Sequence, residues 1–389
     1  MQRTFNPIHR HRIGRRQLAV LVAILALLVG PAPAEGHDAS AYGGAFRSRD
    51  AGKTWDSVLF DNSVLTVAVD PRNPAHLLLG TGTGLVRSLN GGRSWTTDAK
   101  DNVSGAVFAA AFAPDSPVIL CAATNGVFRF DEGHWKRARL PAGALPAHTI
   151  AFGAKPGRVY LLGRSRLFAS DDQGRSFAQL QAPLRNGAKV TALAVSLAPK
   201  QTLFLLADGG LLASEDDGLH WEKRGAEAGP LETLLFDQGS PGQLWTTIGG
   251  ILSTSEDRGR HWHIVGRLPD PNIVVRGIAA DAVRVIITSD HGMYGSLDGG
   301  RTWQLEESGL PVHIEAGPLI RDPSDRRTLY AAYSLIPYSA LWRAALEDSN
   351  LISRIEVTQL IGAGISMLLL TLAGGILVRC LSGKPRSAR

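Results

Sequence analysis

From residue 44 to residue 334 the apolar positions come in short runs broken by turn residues. Val64 to Val69 is apolar and β-branched, and Asp70-Pro71-Arg72-Asn73-Pro74 follows as turn chemistry. His76 to Gly80 is a second run, Thr81-Gly82-Thr83-Gly84 turns again, Leu85 to Ser88 is a third run, and Ser94 to Thr97 a fourth. The same order returns at 107–112, 118–122, 127–130 and 135–138, and again at 149–152, 159–162, 167–170 and 176–180. Runs this short, bounded by Gly, Pro, Asp and Asn, predict strands. No stretch of the body shows the 3.6-residue rhythm of an amphipathic helix, so the pattern predicts an all-β body of four-stranded units.

A recurring phrase punctuates these units. Its copies are 48–55 (SRDAGKTW), 88–95 (SLNGGRSW), 170–177 (SDDQGRSF), 214–221 (SEDDGLHW), 255–262 (SEDRGRHW) and 296–303 (SLDGGRTW), with a copy one residue short at 129–135 (RFDEGHW). The closing aromatics are Trp55, Trp95, Trp135, Phe177, Trp221, Trp262 and Trp303, spaced 40 to 44 residues apart. A fixed period of this size, with four short strands in each, predicts a β-propeller. Copies two to seven each end a full blade. The first copy has only 45–48 before it and 54–59 after it, and the runs 313–320 and 328–334 have no copy of their own. Joined, the two ends make a seventh, split blade that leaves no free sheet edge. Leu341 to Leu346 reads as one more strand, either competing with 45–48 for the third place or leading out of the body.

The phrase has a physical task at the turn between the third and fourth strands. Asp50, Asn90, Asp131, Asp172, Asp216, Asp257 and Asp298 can accept backbone N–H groups in a tight turn, and the serine hydroxyl can do likewise. The glycine supplies φ > 0, and the aromatic opens the fourth strand and folds across the hairpin. These residues are therefore read as structural. The pairs Asp171-Asp172 and Asp216-Asp217 lack the closing bidentate Glu of a calcium loop, so no metal site is assigned. The short copy at 129–135 is expected to be the weakest turn, and restoring its length is expected to raise stability.

Ser-x-Asp-x-Gly-x-x-Trp resembles the Asp-box, or bacterial neuraminidase repeat, and the resemblance covers residues 41–346. Seven blades of about 41 residues with little inserted between them are most similar to the photosystem II stability/assembly factor family. That resemblance implies an exported propeller scaffold that binds proteins and helps assemble membrane complexes. Sialidases and xyloglucan-hydrolysing propellers share the repeat and imply the alternative, a glycoside hydrolase, or a propeller that binds glycans without cleaving them. A sialidase would carry a Phe/Tyr-Arg-Ile-Pro motif, an Arg triad and a Tyr–Glu pair. Here the early strand reads Ala45-Phe46-Arg47-Ser48, and the loose pair is Tyr330, Tyr333 or Tyr338 with Glu315. Asp208, Asp237, Asp281 and Asp290 are loose candidates for the two facing carboxylates of a glycosidase. No Ser-His-Asp order, phosphate loop or Cys/His metal spacing stands out, and no cofactor is implied. His261 and His263 share one strand face and read as surface residues.

Charge sharpens the picture at the two ends. The net charge is +6, yet residues 1–34 carry five arginines and no acid, and residues 354–389 carry five Lys/Arg against Glu356. Residues 35–353 are left with 31 basic and 34 acidic residues, which argues against a nucleic-acid-binding body. Residues 1–34 read as an export signal: a basic stretch, the apolar run 18–30 and the small-residue site Pro31-Ala32-Pro33-Ala34. An uncleaved anchor is the other reading. Residues 347–356 read as a linker. Residues 357–378 are 22 residues without charge, about 30 Å as a helix, and predict a membrane span. The basic tail 379–389 then lies on the cytoplasmic side and the propeller, 35–346, outside the cytoplasm. Cys121 lies in an apolar run and Cys380 just past the span, so no disulfide is expected.

If the body binds a partner, the loops between second and third strands are the expected place, since they lie opposite the repeated turns. They hold Thr81, Thr83, Asn125, Arg164, Arg166, Asp208, Asp290, His291 and Tyr338. Polar and charged residues on ring loops suit protein or peptide recognition.

Overall fold

A computed structural model of the protein describes residues 42–347 except 62, 198–199, 226–228, 238–239, 241 and 282. The expected signal 1–34, the span 357–378 and the tail 379–389 lie outside the described residues. Among those described, no helix is long and apolar enough to cross a membrane.

The described strands form seven antiparallel sheets of four. Blade 1 runs outward as Val64–Asp70, Asn73–Thr81, Leu85–Ser88 and Thr96–Asp98. The inner strands of blades 2 to 6 are Val107–Phe112, Thr149–Phe152, Val190–Ser196, Leu235–Phe236 and Val275–Ala280. Inner strands are apolar on both faces because each packs between a neighbouring blade and the ring interior. Leu77, Leu78, Leu79, Leu120 and Leu161 behind them are fully buried. Separate clusters of Leu, Val, Ile and Phe lie between consecutive blades, so the core is a ring of wedges rather than one central mass.

Blade 7 is split as expected. Glu315–Arg321 and Leu329–Ser334 supply its inner strands, and Gly44–Ser48 and Asp56–Phe60 its outer ones. Gly44 pairs with Tyr333 and Ser48 with Leu329, so the first strand of the body closes the ring against the last. This settles which segment takes the third place.

Leu341 to Leu346 is not a strand. Tyr338–Leu346 is an α-helix. With the third place filled by Gly44–Ser48, blade 7 has no vacant strand position left for the segment. Its residues are mostly good helix formers, and Tyr338, Leu341, Trp342 and Ala345 recur at helical spacing. Leu341 and Ala345 bury against Leu65, Ala106 and Phe108. Pro337 offers no side-chain cap; the Tyr338 N–H donates instead to Glu315 Oε2 at 3.0 Å, which places a carboxylate at the helix N-terminus.

A second device ties blades together. Arginines of one blade donate to a carbonyl in the repeated turn of the next: Arg47 to Gly91 O at 2.6 Å, Arg129 to Gln173 O at 3.0 Å, Arg224 to Arg258 O at 3.0 Å and Arg284 to Gly52 O at 2.6 Å. Arg158 reaches Asp217 O at 3.1 Å in the same way.

Candidate functional site

The repeated turns take one geometry. In all six full copies the glycine N–H donates to the serine Oγ at 2.8–2.9 Å. The Asp or Asn Oδ1 accepts the N–H four residues on at 2.9 Å. The side chain at that same place closes the turn. Thr54, Ser176, His220, His261 and Thr302 engage the carboxylate, and the amide of Asn90 donates to Ser94 Oγ at 2.7 Å. Sequence reasoning missed this seventh position, although Thr, Ser or His stands there in every full copy. Two consecutive residues have positive φ, for example Ala51 (61°) and Gly52 (81°). A Cβ on Gly52 would lie 2.0 Å from Ile286 Cδ1 of blade 6, so close approach as well as φ demands glycine.

The aromatics do more than fold across their own hairpins. The Trp95 indole N–H donates to Val58 O at 2.8 Å, and Trp303 donates to Arg267 O at 2.9 Å, each on the preceding blade. Trp135 donates to Asp98 Oδ1 at 3.0 Å in the same sense. Phe177 packs into the cluster between blades 2 and 3, Trp221 donates to Gln181 O at 3.2 Å, and Trp55 and Trp262 pack without a bonded indole.

The short copy is a complete turn rather than a damaged one. Asp131 pairs with His134 across a two-residue loop, and Glu132 (53°) and Gly133 (82°) both have positive φ. That is the tight hairpin whose twist suits flanking strands. Arg129 replaces the serine and pairs with Asp131 at 2.6 Å.

Because strands alternate, the repeated turns lie at one end of the ring and the loops between second and third strands at the other. This second end is the mouth face. A cavity of about 1530 Å³ runs through the ring along the inner strands, from Trp342 and Leu346 of the helix to Pro323 and Arg326 at the turn face. Its walls are largely Val and Ala, including Val67, Ala68, Ala110 and Ala111.

Of the nine expected mouth residues, Arg164 and Tyr338 line this channel. Tyr338 belongs to the helix rather than a loop, which corrects its expected setting. Its ring stacks on Trp342 and packs edge-to-face on Phe108, and the Arg276 guanidinium lies 5.4 Å from its centre. The other seven surround the channel, and most of them hold turns. Thr81 Oγ1 accepts the N–H groups of Thr83 and Gly84. Asn125 Oδ1 accepts the Ser104 N–H, and its amide donates to Asn102 O. Asp208 accepts the Lys189 N–H at 3.0 Å and pairs with Arg185 at 2.8 Å. Asp290 accepts the Val274 N–H at 2.9 Å and lies 3.0 Å from His291 Nδ1, a bond that raises the His291 pKa. Arg166 is exposed.

Other residues of the mouth escaped sequence reasoning. Lys189, Glu232 and Arg276 line the channel, beside Glu315, which the sequence offers only as a partner for a tyrosine. Arg276 pairs with Glu315 at 2.6 Å, and burial raises the Glu315 pKa. Glu232 accepts the Gly249 N–H. His148 meets Trp342 edge-to-face at 4.9 Å, and burial lowers its pKa to about 4. Their common signal is position at or just before the first strand of a blade. Exposed Arg164 and Lys189 form no ion pair among the described residues.

The carboxylates weighed for hydrolysis are not brought together. Asp208 and Asp290 sit at the mouth face and Asp237 and Asp281 near the turn face, and none of the four lines the channel. Glu315 accepts the Tyr338 backbone N–H rather than its hydroxyl. The four channel arginines divide between the two ends, Arg164 and Arg276 at the mouth and Arg321 and Arg326 at the turn face, about 20 Å apart at the usual strand rise. Among the described residues no group of His, Cys, Asp and Glu could hold a metal. His261 Nδ1 is bound to Asp257 at 2.6 Å.

Fold and channel define the class: a seven-bladed β-propeller with a helix laid at one mouth of an open channel. No family model matches the chain, and no curated protein matches it. Among solved structures it is similar to YCF48 from Cyanidioschyzon merolae, at 17% identity over 70% of this chain and 95% of that one, with a TM-score of 0.54. It is also similar to a structure of YCF48 bound to D1 peptide, at 17% identity over 71% of this chain and 94% of that one, with a TM-score of 0.52. A GH74 enzyme from Niastella koreensis matches at 16% identity over 69% of this chain and 52% of that one, with a TM-score of 0.56. This chain spans about half of that enzyme. At these identities the likeness is one of fold.

Proposed function

We propose that the protein is a membrane-anchored, extracytoplasmic propeller that binds protein segments at its channel mouth and serves as a scaffold or assembly factor for membrane complexes. The observation that carries this reading is the mouth itself. It combines the cations Arg164 and Lys189, which form no ion pair among the described residues, with the aromatic wall of Tyr338, Trp342 and Phe108, while the carboxylates weighed for catalysis are tied to turns or to arginines. Cations beside an aromatic wall suit an acidic or C-terminal peptide. The likeness to YCF48, one structure of which holds a D1 peptide, supports the same reading. A glycan-active propeller is the second reading, favoured by the likeness to GH74 enzymes.

The test is crosslinking of the tagged full-length protein in its own cells, paired with a glycoside screen of the purified protein. Capture of membrane proteins that is lost in Arg164→Glu/Lys189→Glu supports the proposal. Glycoside turnover abolished by Asp208→Asn or Asp290→Asn reverses the order of the two readings.

A further inference from the structure

Both ends of the described chain leave the propeller at one face. Gly44–Ser48 starts at the mouth face and descends to its repeated turn; Leu329–Ser334 climbs to the mouth face and continues into the helix. Tyr42 and Leu335 therefore flank the paired residues Gly44 and Tyr333 at the same end of blade 7. The helix ends at the channel, where Leu346 is part of the lining.

That placement limits how the body can stand on a membrane. With 357–378 read as the span, residues 348–356 form the tether. Nine extended residues reach about 30 Å at most. Passing from the channel mouth to the turn face means crossing four strands with their side chains, about 20 Å, and then descending a blade, about 20 Å more. A tether of about 30 Å does not cover a path of about 40 Å. The turn face cannot meet the bilayer; the mouth face can.

The chemistry of the mouth face agrees. Tyr42, Phe60 and Leu335 are 59%, 63% and 40% exposed, and all three stand at the mouth end of blade 7, where the chain enters and leaves. The turn face also exposes apolar residues, Leu89 on blade 1, Leu197 and Leu219 on blade 4, and Val283 and Leu297 on blade 6, but none of them stands where the chain enters or leaves. Arg164, Arg166 and Lys189 on blades 3 and 4, with Arg343 on the helix, add exposed positive charge to the mouth face. Aromatic and aliphatic side chains beside cations are the combination that rests at the headgroup level of an anionic bilayer.

We propose that the mouth face is a membrane-docking surface. It lies against the anionic surface of the bilayer that residues 357–378 enter, with Tyr42, Phe60 and Leu335 at headgroup level and the channel opening toward the lipid. The proposal rests on the reading of 357–378 as a span and deepens the proposed function: whatever enters the channel does so from the membrane side.

The test uses the full chain with Cys380→Ser, in vesicles of phosphatidylcholine and phosphatidylglycerol. Cys121 is fully buried, so single cysteines elsewhere label cleanly. An environment-sensitive dye is placed at Phe60→Cys or Leu335→Cys on the mouth face, and at Leu219→Cys or Leu297→Cys on the turn face. All four positions are exposed, so the fold tolerates them. Quenching by lipids spin-labelled near the headgroup is expected to be at least threefold stronger at the two mouth positions. Arg164→Glu/Arg166→Glu/Lys189→Glu is expected to remove most of the difference when phosphatidylglycerol is present. Equal quenching at all four positions, stronger quenching at the turn face, or failure of the protein to float with vesicles overturns the proposal. With Arg164, Arg166 and Lys189 intact, equal quenching at the two faces beside normal crosslinked capture would sink docking alone; the expected quenching difference without capture would sink the scaffold reading alone.

Discussion

Arg321 and Asp237 form a buried, two-pronged ion pair, with Nε 3.0 Å from Oδ1 and Nη2 3.1 Å from Oδ2, across 84 residues of sequence. Their side chains are 3% and 1% exposed. Asp237 also accepts the Ala280 N–H at 3.0 Å, so one carboxylate links blades 5, 6 and 7 beside the channel. Removing one partner takes from the other buried charge its two-pronged mate, and breaking a buried pair in this way costs about 3–5 kcal/mol. Arg321→Met or Asp237→Leu alone should lower urea stability by that order, and the double variant by clearly less than the sum. Additive losses in the double-mutant cycle would refute the pairing.

The turn at 129–135 reverses the expectation drawn from its length. Its two-residue loop already has the φ values of a tight hairpin, and Arg129 locks it to Asp131 and to Gln173 of the next blade. Inserting a residue between Glu132 and Gly133 should lower the melting temperature by several degrees. A rise on calorimetry would restore the original view.

Acid should weaken the full turns at once. Backbone and ring hydrogen bonds from His220 hold Asp216 at about 2. At Asp50 and Asp257 burial pushes upward, but the bonds from Thr54, Ser48 and Lys53, and from His261 and Ser255, outweigh it and also leave a pKa of about 2. A carboxyl whose pKa falls on folding stabilises the fold above its unfolded value of about 3.9. That contribution is lost as pH drops from about 4 to about 2. Asn90 serves in one turn as an amide, so Asp50→Asn/Asp216→Asn/Asp257→Asn should fold and show a flatter melting curve across this window. An unchanged pH slope would count against the mechanism.

His148 should add a separate, milder step. Burial lowers its pKa from 6.5 to about 4, so the neutral ring is the form that fits. The unfolded chain takes up a proton first, and stability falls as pH drops from about 6.5 to about 4. His148→Phe should remove that part of the pH dependence while leaving the part below pH 4 in place.

Asp208 and Asp290 should matter to their loops more than to any chemistry. Asp208→Ala should speed hydrogen exchange at the Lys189 amide, and Asp290→Ala at Val274, with no change in the opposite loop. Unchanged exchange would release both carboxylates for another role.

The all-β class, the blade count, the split closure and the seven turns were legible in the sequence. They rest on local physics: β-branched runs at regular spacing, glycines where φ is positive, and side chains that bond their own backbone within four residues. Residues that act across blades left no such trace. The pair Arg321–Asp237, the arginine clasps and the mouth formed by Arg164, Lys189, Tyr338 and Trp342 depend on which blades become neighbours and which strand ends meet at one face. The helix Tyr338–Leu346 shows where the two levels meet. Its residues favour helix locally, but the segment had an apparent alternative as a strand until Gly44–Ser48 took the place beside Leu329–Ser334. Ring closure decided that, because Gly44–Ser48 filled the third-strand position of blade 7 that the segment could have taken.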